Sequence, residues 1–231
     1  KFTKGLSRPF DKRLSDLMVE TTKFLAEETN AKIAYTQSDE ISLVLYTDSY
    51  KEQLYFDGKI QKLVSVLSSI CTAKFNQLLP LFLPDKKELA VFDCRVWNVP
   101  NKEEAANTLV WREIDATKNS VSMAAREYYS HKKLMNLGRS DMMDLLMEKK
   151  INWNDYPEFF KRGTYIQRKV SSTKFSAEEL EKLPLKHEAR KNPDLEIIRS
   201  KFVVSYPCLK KAKNKLAVCF DGADAIYENE K

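Results

Sequence analysis

The sequence predicts an α+β fold: a ferredoxin-like domain whose first strand is missing, followed by a C-terminal α/β extension. Three observations carry this prediction. Apolar residues recur at helical spacing over 9–29 and again over 54–79. Between them, two β-rich runs at 32–36 and 41–46 are separated only by the polar stretch Gln37-Ser38-Asp39-Glu40, which reads as a hairpin. A further strand-like run follows the second helix at 89–97. The order α-β-β-α-β is the ferredoxin-like β-α-β-β-α-β order without its first strand, and a leading Lys1 rather than a methionine fits an N-terminal truncation.

Each element has its own signals. Leu14, Leu17, Met18, Phe24 and Leu25 form the apolar stripe of the first helix, with Pro9 suited to its first turn and Ser7 as a candidate cap. Ile60, Leu63, Val64, Leu67, Ile70, Cys71, Phe75 and Leu78 define the second helix. Leu89-Ala90-Val91-Phe92-Asp93 opens a strand that reaches Val96 or Trp97. Helices are expected over 101–113 and 117–135, and Ser140 is placed to cap a helix carrying Met143, Leu146 and Met147. The character changes after about residue 135, so a first domain over 1–135 and a second region over 136–231 are expected. The second region offers an ordered loop at 151–157 and strands over 164–170 and 197–204. Ser176-Ala177-Glu178-Glu179 is a capping-box pattern opening a short helix that Pro184 ends. A small strand is expected at 216–220.

Composition excludes several classes. With 231 residues, 43% hydrophobic and 11% aromatic, the chain can bury a core and is not a disordered one. Five Gly and eight Pro exclude collagen-like and linker-like segments. Four cysteines without a CxxC pair, and two histidines, argue against a structural zinc site and for a reduced, cytoplasmic protein. No apolar run approaches the ~20 residues that span a bilayer, and no signal peptide leads the chain. The net charge of +6 is mild, but cations crowd the later half, at Lys149, Lys150, Lys161, Arg162, Arg168, Lys169, Lys174, Arg199, Lys201, Lys210, Lys211, Lys213 and Lys215. Such a distribution is either a solvated face or a polyanion-binding one.

The chemistry-bearing residues start at the hairpin tip. Turn carboxylates such as Asp39 and Glu40 are usually solvated. Polymerase palms, however, carry a metal-binding carboxylate on a hairpin of this kind. Joining nucleotides uses two Mg²⁺ held by carboxylates, and one or two protein carboxylates suffice because the ions borrow phosphate oxygens. Asp39 is the stronger candidate ligand and Glu40 its helper. In Phe92-Asp93-Cys94-Arg95-Val96, an arginine within an apolar run needs a partner, either Asp93 or a phosphate. Lys59 and Lys62, three apart on the second helix, are either a solvated face or further phosphate ligands. His131 and His187 have no Ser or Cys partner of the kind nucleophilic catalysis uses. Trp153, Tyr156 and Phe159 with Lys161 and Arg162 mix aromatics and cations as RNA-stacking surfaces do, although core packing is the better reading of Trp153.

Six stretches together resemble one family in the right order: Phe2-Thr3-Lys4-Gly5-Leu6-Ser7-Arg8-Pro9-Phe10-Asp11, Tyr35-Thr36-Gln37-Ser38-Asp39-Glu40-Ile41-Ser42, Phe92-Asp93-Cys94-Arg95-Val96, Trp111-Arg112-Glu113-Ile114-Asp115-Ala116-Thr117-Lys118-Asn119-Ser120, Ile151-Asn152-Trp153-Asn154-Asp155 and Lys186-His187-Glu188-Ala189-Arg190-Lys191-Asn192-Pro193. The chain resembles the tRNA-histidine guanylyltransferase superfamily, and more closely its bacterial-type "-like" branch. That resemblance implies an enzyme that adds nucleotides to the 5′ end of tRNA in the 3′→5′ direction, with ATP or GTP as substrates and two Mg²⁺ as cofactor. It further implies a homotetramer with a C-terminal region that contacts tRNA. Residue by residue, it makes Asp39 a metal ligand and Glu40 a support of the metal site. It assigns triphosphate binding to Arg95, Lys62 and Lys59, and places Lys4, Arg8, Asp11 and Ser38 at the nucleotide pocket. Where the family carries His-Ile-Asn-Asn, this chain has Thr117-Lys118-Asn119-Ser120, and only Asn119 matches. This favours template-dependent 5′-end repair over tRNA-histidine specificity. The family's Asp-Gly metal motif, just upstream of Phe2, is missing here, so the polypeptide is expected to be impaired. A non-catalytic tRNA-binding homologue and a palm-fold nucleotidyl cyclase remain as alternatives, although a cyclase leaves the later motif and the basic second region unexplained.

Overall fold

A computed structural model describes residues 2–49, 52–192 and 194–228. Pro193, which closes the last of the six stretches, lies outside the described residues.

Helix α1, Lys12–Thr29, starts later than the apolar stripe suggested. Its cap is Asp11 rather than Ser7, because the Asp11 carboxylate accepts the Arg13 N–H at 3.0 Å and also draws the Ser7 N–H at 3.2 Å. Asn30, at φ 52, closes the helix by donating back to Ala26 and Glu27. Strands β1, Ile33–Gln37, and β2, Glu40–Val44, form the expected antiparallel hairpin, with Gln37 opposite Glu40 and only Ser38 and Asp39 in the turn. Helix α2, Ile60–Phe82, buries Leu63, Leu67, Cys71, Phe75 and Leu79 and contains Pro80 in its last turn.

The run at 89–97 is not a strand. Its burial alternates residue by residue, as a half-buried strand's would, but none of it joins a ladder. Side chains of α2 take the place of a neighbouring strand: Ala90 N–H donates to Asn76 Oδ1 at 3.0 Å, Asn76 Nδ2 donates to the Ala90 carbonyl at 2.8 Å, and Phe92 N–H donates to Thr72 Oγ1 at 3.1 Å.

Where two helices were expected, α3 runs unbroken over Lys102–Tyr128. No Gly or Pro interrupts it, and Thr117 Oγ1 bonds back to the Glu113 carbonyl at 3.0 Å within the helix. The rest of the expected stretch is the short helix α4, His131–Leu134. Helix α5, Arg139–Glu148, starts after Gly138, whose N–H donates to Asp141 at 2.8 Å, so Ser140 sits inside the first turn and is not the cap. A single turn at Trp153–Asp155 and helix α6, Glu158–Arg162, lead into β3, Thr164–Lys174. The capping box then opens α7, Ala177–Lys182, as expected, with Ser176 N–H on Glu179 at 2.9 Å and Glu179 N–H on Ser176 at 3.3 Å. Helix α8, Glu188–Lys191, precedes β4, Glu196–Ser205. The expected strand at 216–220 is instead helix α9, Lys215–Phe220, which buries Val218 and Cys219. A short apolar run fits either form, and packing decides it.

The four strands make one antiparallel sheet in the order β2-β1-β3-β4, so the outer edge of β2 is unpaired among the described residues. Ile33, Tyr35 and Tyr165 pack with Ala106, Leu109 and Ala116 of α3 and with α9 on one face. Ala34 and Ile166 pack with Val19 and Ala26 of α1 on the other. Helix α2 lies against α1 beyond the sheet, around Leu17, Met18, Phe75 and Leu79.

Gly163 joins α6 to β3 at φ +84, and a Cβ there would lie 2.4 Å from the Tyr35 hydroxyl, which itself donates to the Arg162 carbonyl at 2.7 Å. Gly163→Ala therefore strains the backbone and displaces a buried tyrosine, with an expected loss of roughly 2–4 kcal/mol in urea unfolding. Retention of parental stability would show that this junction yields freely.

Candidate active site at the hairpin tip

A cleft of about 450 Å³ opens beside the β1–β2 turn. One wall is the irregular loop before α1, contributing Lys4, Arg8, Phe10 and Asp11; the opposite wall is Thr36, Gln37, Ser38 and Asp39. Met123, Phe159, Phe160 and Thr164 close it. Phe10 is held by an aromatic cluster, with ring centroids 5.2 Å from Phe159 and 4.8 Å from Phe160. The cleft thus has an apolar floor and a polar mouth, with the exposed cations Lys4 and Arg8 across from Asp39.

The turn itself is strained. Ser38 sits at φ 55, a conformation that two-residue hairpins require and that a non-glycine residue adopts at a cost of about 1 kcal/mol. The result presents Asp39 at the cleft, and Asp39 makes no hydrogen bond or ion pair among the described residues. Glu40 follows the pleat to the other side, where it forms an ion pair with Arg112 of α3, a guanidinium only 19% exposed that also lies 3.9 Å from Asp115. The two neighbouring carboxylates therefore differ in kind: one is free at the cleft and the other is neutralised.

Asp11 lines the cleft but has its oxygens engaged. Two side-chain hydrogen bonds from Arg13, at 3.1 and 2.8 Å, hold its carboxyl down at about 2 against the opposing effect of burial, with the Ser7 and Arg13 N–H groups helping. Its geometry is that of a wall support.

Lys59 and Lys62 lie at a second opening of about 430 Å³, at the start of α2 and next to Gln53, Leu54, Tyr55, Phe56 and Asp57. Three successive residues there, Phe56, Asp57 and Gly58, are left-handed, and the helix begins without a side-chain cap, so its positive end faces this opening. Lys62 rests 5.1 Å over the Phe56 ring and Lys59 lies 3.6 Å from Asp57. Arg95 pairs with Asp93 at 3.2 Å, both more than four-fifths exposed, and lines neither opening. Asn119 lies on the exposed side of α3, donating to Asp115 at 3.2 Å. The structure thus gathers Lys4, Arg8, Asp11, Ser38 and Asp39 at one cleft and Lys59 and Lys62 at another, and brings Glu40, Arg95 and Asn119 to neither.

Trp153 is buried with its indole N–H on Ser120 Oγ at 3.2 Å, so it packs in the interior rather than stacking on RNA. His187 caps α8 by accepting the Ala189 N–H at 3.1 Å and leans on Phe175, a loop-stabilising role. Met123, Phe160 and Thr164 at the cleft, and Arg112 behind Glu40, were not singled out from sequence; no local pattern relates α3 to the hairpin tip.

No three His, Cys, Asp or Glu residues come together as a metal cage among the described residues. Asp39 alone is a free carboxylate at a mouth that also offers cations for phosphate. This donor set suits a Mg²⁺ ion that takes most of its oxygens from water and a bound triphosphate, not one held by protein alone.

Comparison with known proteins agrees with the family resemblance. A family model described as Thg1, tRNAHis guanylyltransferase, matches residues 1–100. A solved bacterial tRNA(His) guanylyltransferase (Thg1)-like protein in complex with ATP is 46% identical and superposes with a TM-score of 0.68 over 72% of this chain and 73% of that one. A second bacterial Thg1-like structure, in complex with GTP, is 34% identical with a TM-score of 0.67 over 91% of this chain and 79% of that one. The tRNA(His) guanylyltransferase of Kluyveromyces lactis is 29% identical over 182 residues, which is 71% of this chain and 75% of that protein.

Asp11 gives this site an acid-sensitive wall. Its depressed pKa stabilises the fold fully above its ordinary value of 3.8, and that contribution is lost as pH falls toward about 2. Asp11→Asn should lower stability at neutral pH by roughly 2 kcal/mol. It should also flatten the fall in stability between about pH 4 and 2, as followed by circular dichroism during denaturant titration at each pH. An unchanged pH dependence would remove Asp11 from that role.

Proposed function

This chain belongs to the tRNAHis guanylyltransferase (Thg1) family, and from that premise we propose that it adds nucleotides to the 5′ end of tRNA in the 3′→5′ direction, as templated 5′-end repair. The observation that carries the reading is the cleft that sets the free Asp39 across from Lys4 and Arg8, in a fold whose solved relatives hold ATP and GTP. The reaction has two steps. An oxygen of the tRNA 5′-monophosphate attacks the α-phosphorus of a nucleoside triphosphate and expels pyrophosphate. The 3′-hydroxyl of an incoming nucleoside triphosphate then attacks the activated 5′ phosphorus and expels the nucleoside monophosphate, its proton passing to solvent.

The chain's own residues orient these phosphates. Lys4 and Arg8 neutralise triphosphate oxygens at the cleft mouth, and the apolar floor of Phe10, Phe159 and Phe160 accepts the base. Lys59 and Lys62, at the uncapped start of α2, offer a second phosphate site. Asp39 would hold Mg²⁺, and Glu40, paired with Arg112 on the other side of the hairpin, would support the turn that presents it. Two such ions, when bound, supply charge stabilisation of the attacking and leaving oxygens.

A single free carboxylate shares two ions poorly. In this reading a second carboxylate arrives on a strand that pairs with the open edge of β2 and gives the unladdered run at 89–97 its sheet neighbour, completing a ferredoxin-like palm. Without that strand, activity should be low. The same observation favours the second reading, a homologue that binds tRNA without chemistry. Thr117-Lys118-Asn119-Ser120 on α3 supports repair over tRNA-histidine specificity.

The region over 136–231 would hold the tRNA, in a cytoplasmic homotetramer. Residues 168–174 of β3 pair only with β4, where Lys169, whose ammonium reaches Asp224 at 2.6 Å, stands directly opposite the exposed Lys201. Residues 197–220 contain six cations and no carboxylate.

Two measurements test this. With a parent protein that extends a radiolabelled 5′-truncated tRNA in Mg²⁺ and nucleoside triphosphates, Asp39→Ala should cut both activation and addition by about 10²-fold or more while tRNA binding persists. Lost binding would make Asp39 structural, and a parent that binds without extending would establish the non-catalytic reading. Affinity for tRNA should fall steeply from low to moderate salt, and Lys201→Ala should reduce the slope of log Kd on log salt by about one. A slope untouched by the substitution would take the ribbon out of the interface.

A further inference from the structure

The cleft wall that carries Lys4 and Arg8 belongs to no helix or strand, and its internal support is thin. Among the described residues, one backbone bond crosses it, from Leu6 N–H to the Thr3 carbonyl at 3.3 Å. Gly5 sits in its middle at φ +84, with open space where a Cβ would be. At its far end Asp11 draws in the Ser7 N–H at 3.2 Å. At its near end the anchor comes from elsewhere in the chain: Lys86, in the turn after α2, donates from Nζ to the Phe2 carbonyl at 2.8 Å and to the Lys4 carbonyl at 2.6 Å. The same ammonium lies 5.5 Å over the Phe2 ring, which is edge-on to Phe75 of α2 at 5.6 Å. Lys86 does not line the cleft.

We infer that Lys86 is a positioning residue for this cleft: its ammonium clasps the carbonyls of residues 2 and 4 and so fixes Lys4 at the mouth before a nucleoside triphosphate binds. The inference rests on the reading of the cleft as a nucleotide site and adds the device that shapes it. A charged donor on two carbonyls is the strong form of the hydrogen bond. With the clasp present, the loop's ordering is complete in the free protein; without it, ordering is subtracted from binding. Should the clasped arrangement fall to about a tenth of the population, apparent affinity falls about tenfold, because Kd scales inversely with the competent fraction. The adjacent Lys87 is exposed and makes no such bonds, although local sequence does not tell the two lysines apart.

The test compares the parent with Lys86→Met, Lys86→Arg and Lys87→Met by calorimetric titration with MgATP and MgGTP, alongside hydrogen exchange. Lys86→Met should weaken nucleotide binding about tenfold and speed exchange at Gly5 and Leu6, with exchange in α1 and β1 unchanged. Lys86→Arg, which keeps a cation and several donors, should recover most of the affinity, and Lys87→Met should match the parent. Parental affinity in Lys86→Met overturns the inference. So does a loss that arginine does not rescue together with faster exchange throughout α1 and β1, since that is general damage. A parent that binds neither nucleotide overturns the nucleotide reading itself and this inference with it, and its own titration distinguishes that outcome.

Discussion

Helix α3, the sheet and the turn after β4 are tied together at Glu113, a carboxylate on α3 that is only 2% exposed. Its Oε2 accepts the Tyr165 hydroxyl of β3 at 3.0 Å and the Leu209 N–H at 2.8 Å, while Oε1 draws the Lys210 N–H at 3.4 Å and the Cys208 thiol at 3.5 Å. Donors from a strand and from the turn after β4 thus meet on one helix residue. A buried carboxylate is tolerable only when its oxygens are satisfied, so each of these groups fixes the others. Burial pushes the Tyr165 phenol and the Cys208 thiol up, and the neighbouring carboxylate adds to both, which keeps them as proton donors in this cluster. Cys208 is accordingly a structural thiol rather than a nucleophile.

From that anchor the constraint passes outward to both ends of β3. Gln167 donates to the carbonyls of Val218 and Ala223 at 3.0 and 3.1 Å, which binds α9 and the chain after it to the sheet. Gly222 is indispensable to that approach, since a Cβ there would lie 2.1 Å from the Arg168 carbonyl. At the other end, Gly163 lets α6 turn under Tyr35, and α6 delivers Phe159 and Phe160 to the cleft floor. The cleft is therefore built between elements whose positions the Glu113 cluster sets, while its two working edges, the turn at Ser38 and the loop at Gly5, are the least regular backbone nearby. Rigid support beneath and strained or loosely tethered backbone at the rim is an arrangement in which a small energy moves a functional group.

What could be read from the sequence was whatever depends on neighbours in the chain. The apolar stripes of α1 and α2, the hairpin, and the Ser176–Glu179 box all arise from short-range spacing and stand as read. The run at 89–97 has the alternation of a strand, but a ladder needs a partner, and alternation does not say whether one is present. The six residues of α9 are too few to show a period. At the site, Lys4, Arg8, Asp11, Ser38 and Asp39 were legible because they fall in two short motifs that the fold happens to face. Arg112 against Glu40, Glu113 against Leu209, and Lys86 against Phe2 join residues far apart in the chain, and single positions of common residue types carry no signal of such pairing.

The adjacent carboxylates at the hairpin tip show why motif and geometry have to be weighed together. As a sequence, Asp39-Glu40 reads as a stronger metal ligand with its helper at one site. In the fold, the turn presents Asp39 at the cleft, whereas Glu40, the first residue of β2, lies on the side of the sheet where α3 brings Arg112. A carboxylate already paired with a partly buried guanidinium is a poor first ligand for a divalent ion, because binding the ion means giving up or sharing that pair. It is well suited to hold the turn in the strained form that presents Asp39. The hairpin then contributes one free carboxylate and its brace. The outer edge of β2 begins at Glu40, next to the turn, so a strand added there would run past the same tip. The unpaired edge and the one free carboxylate of the hairpin thus meet at the same tip.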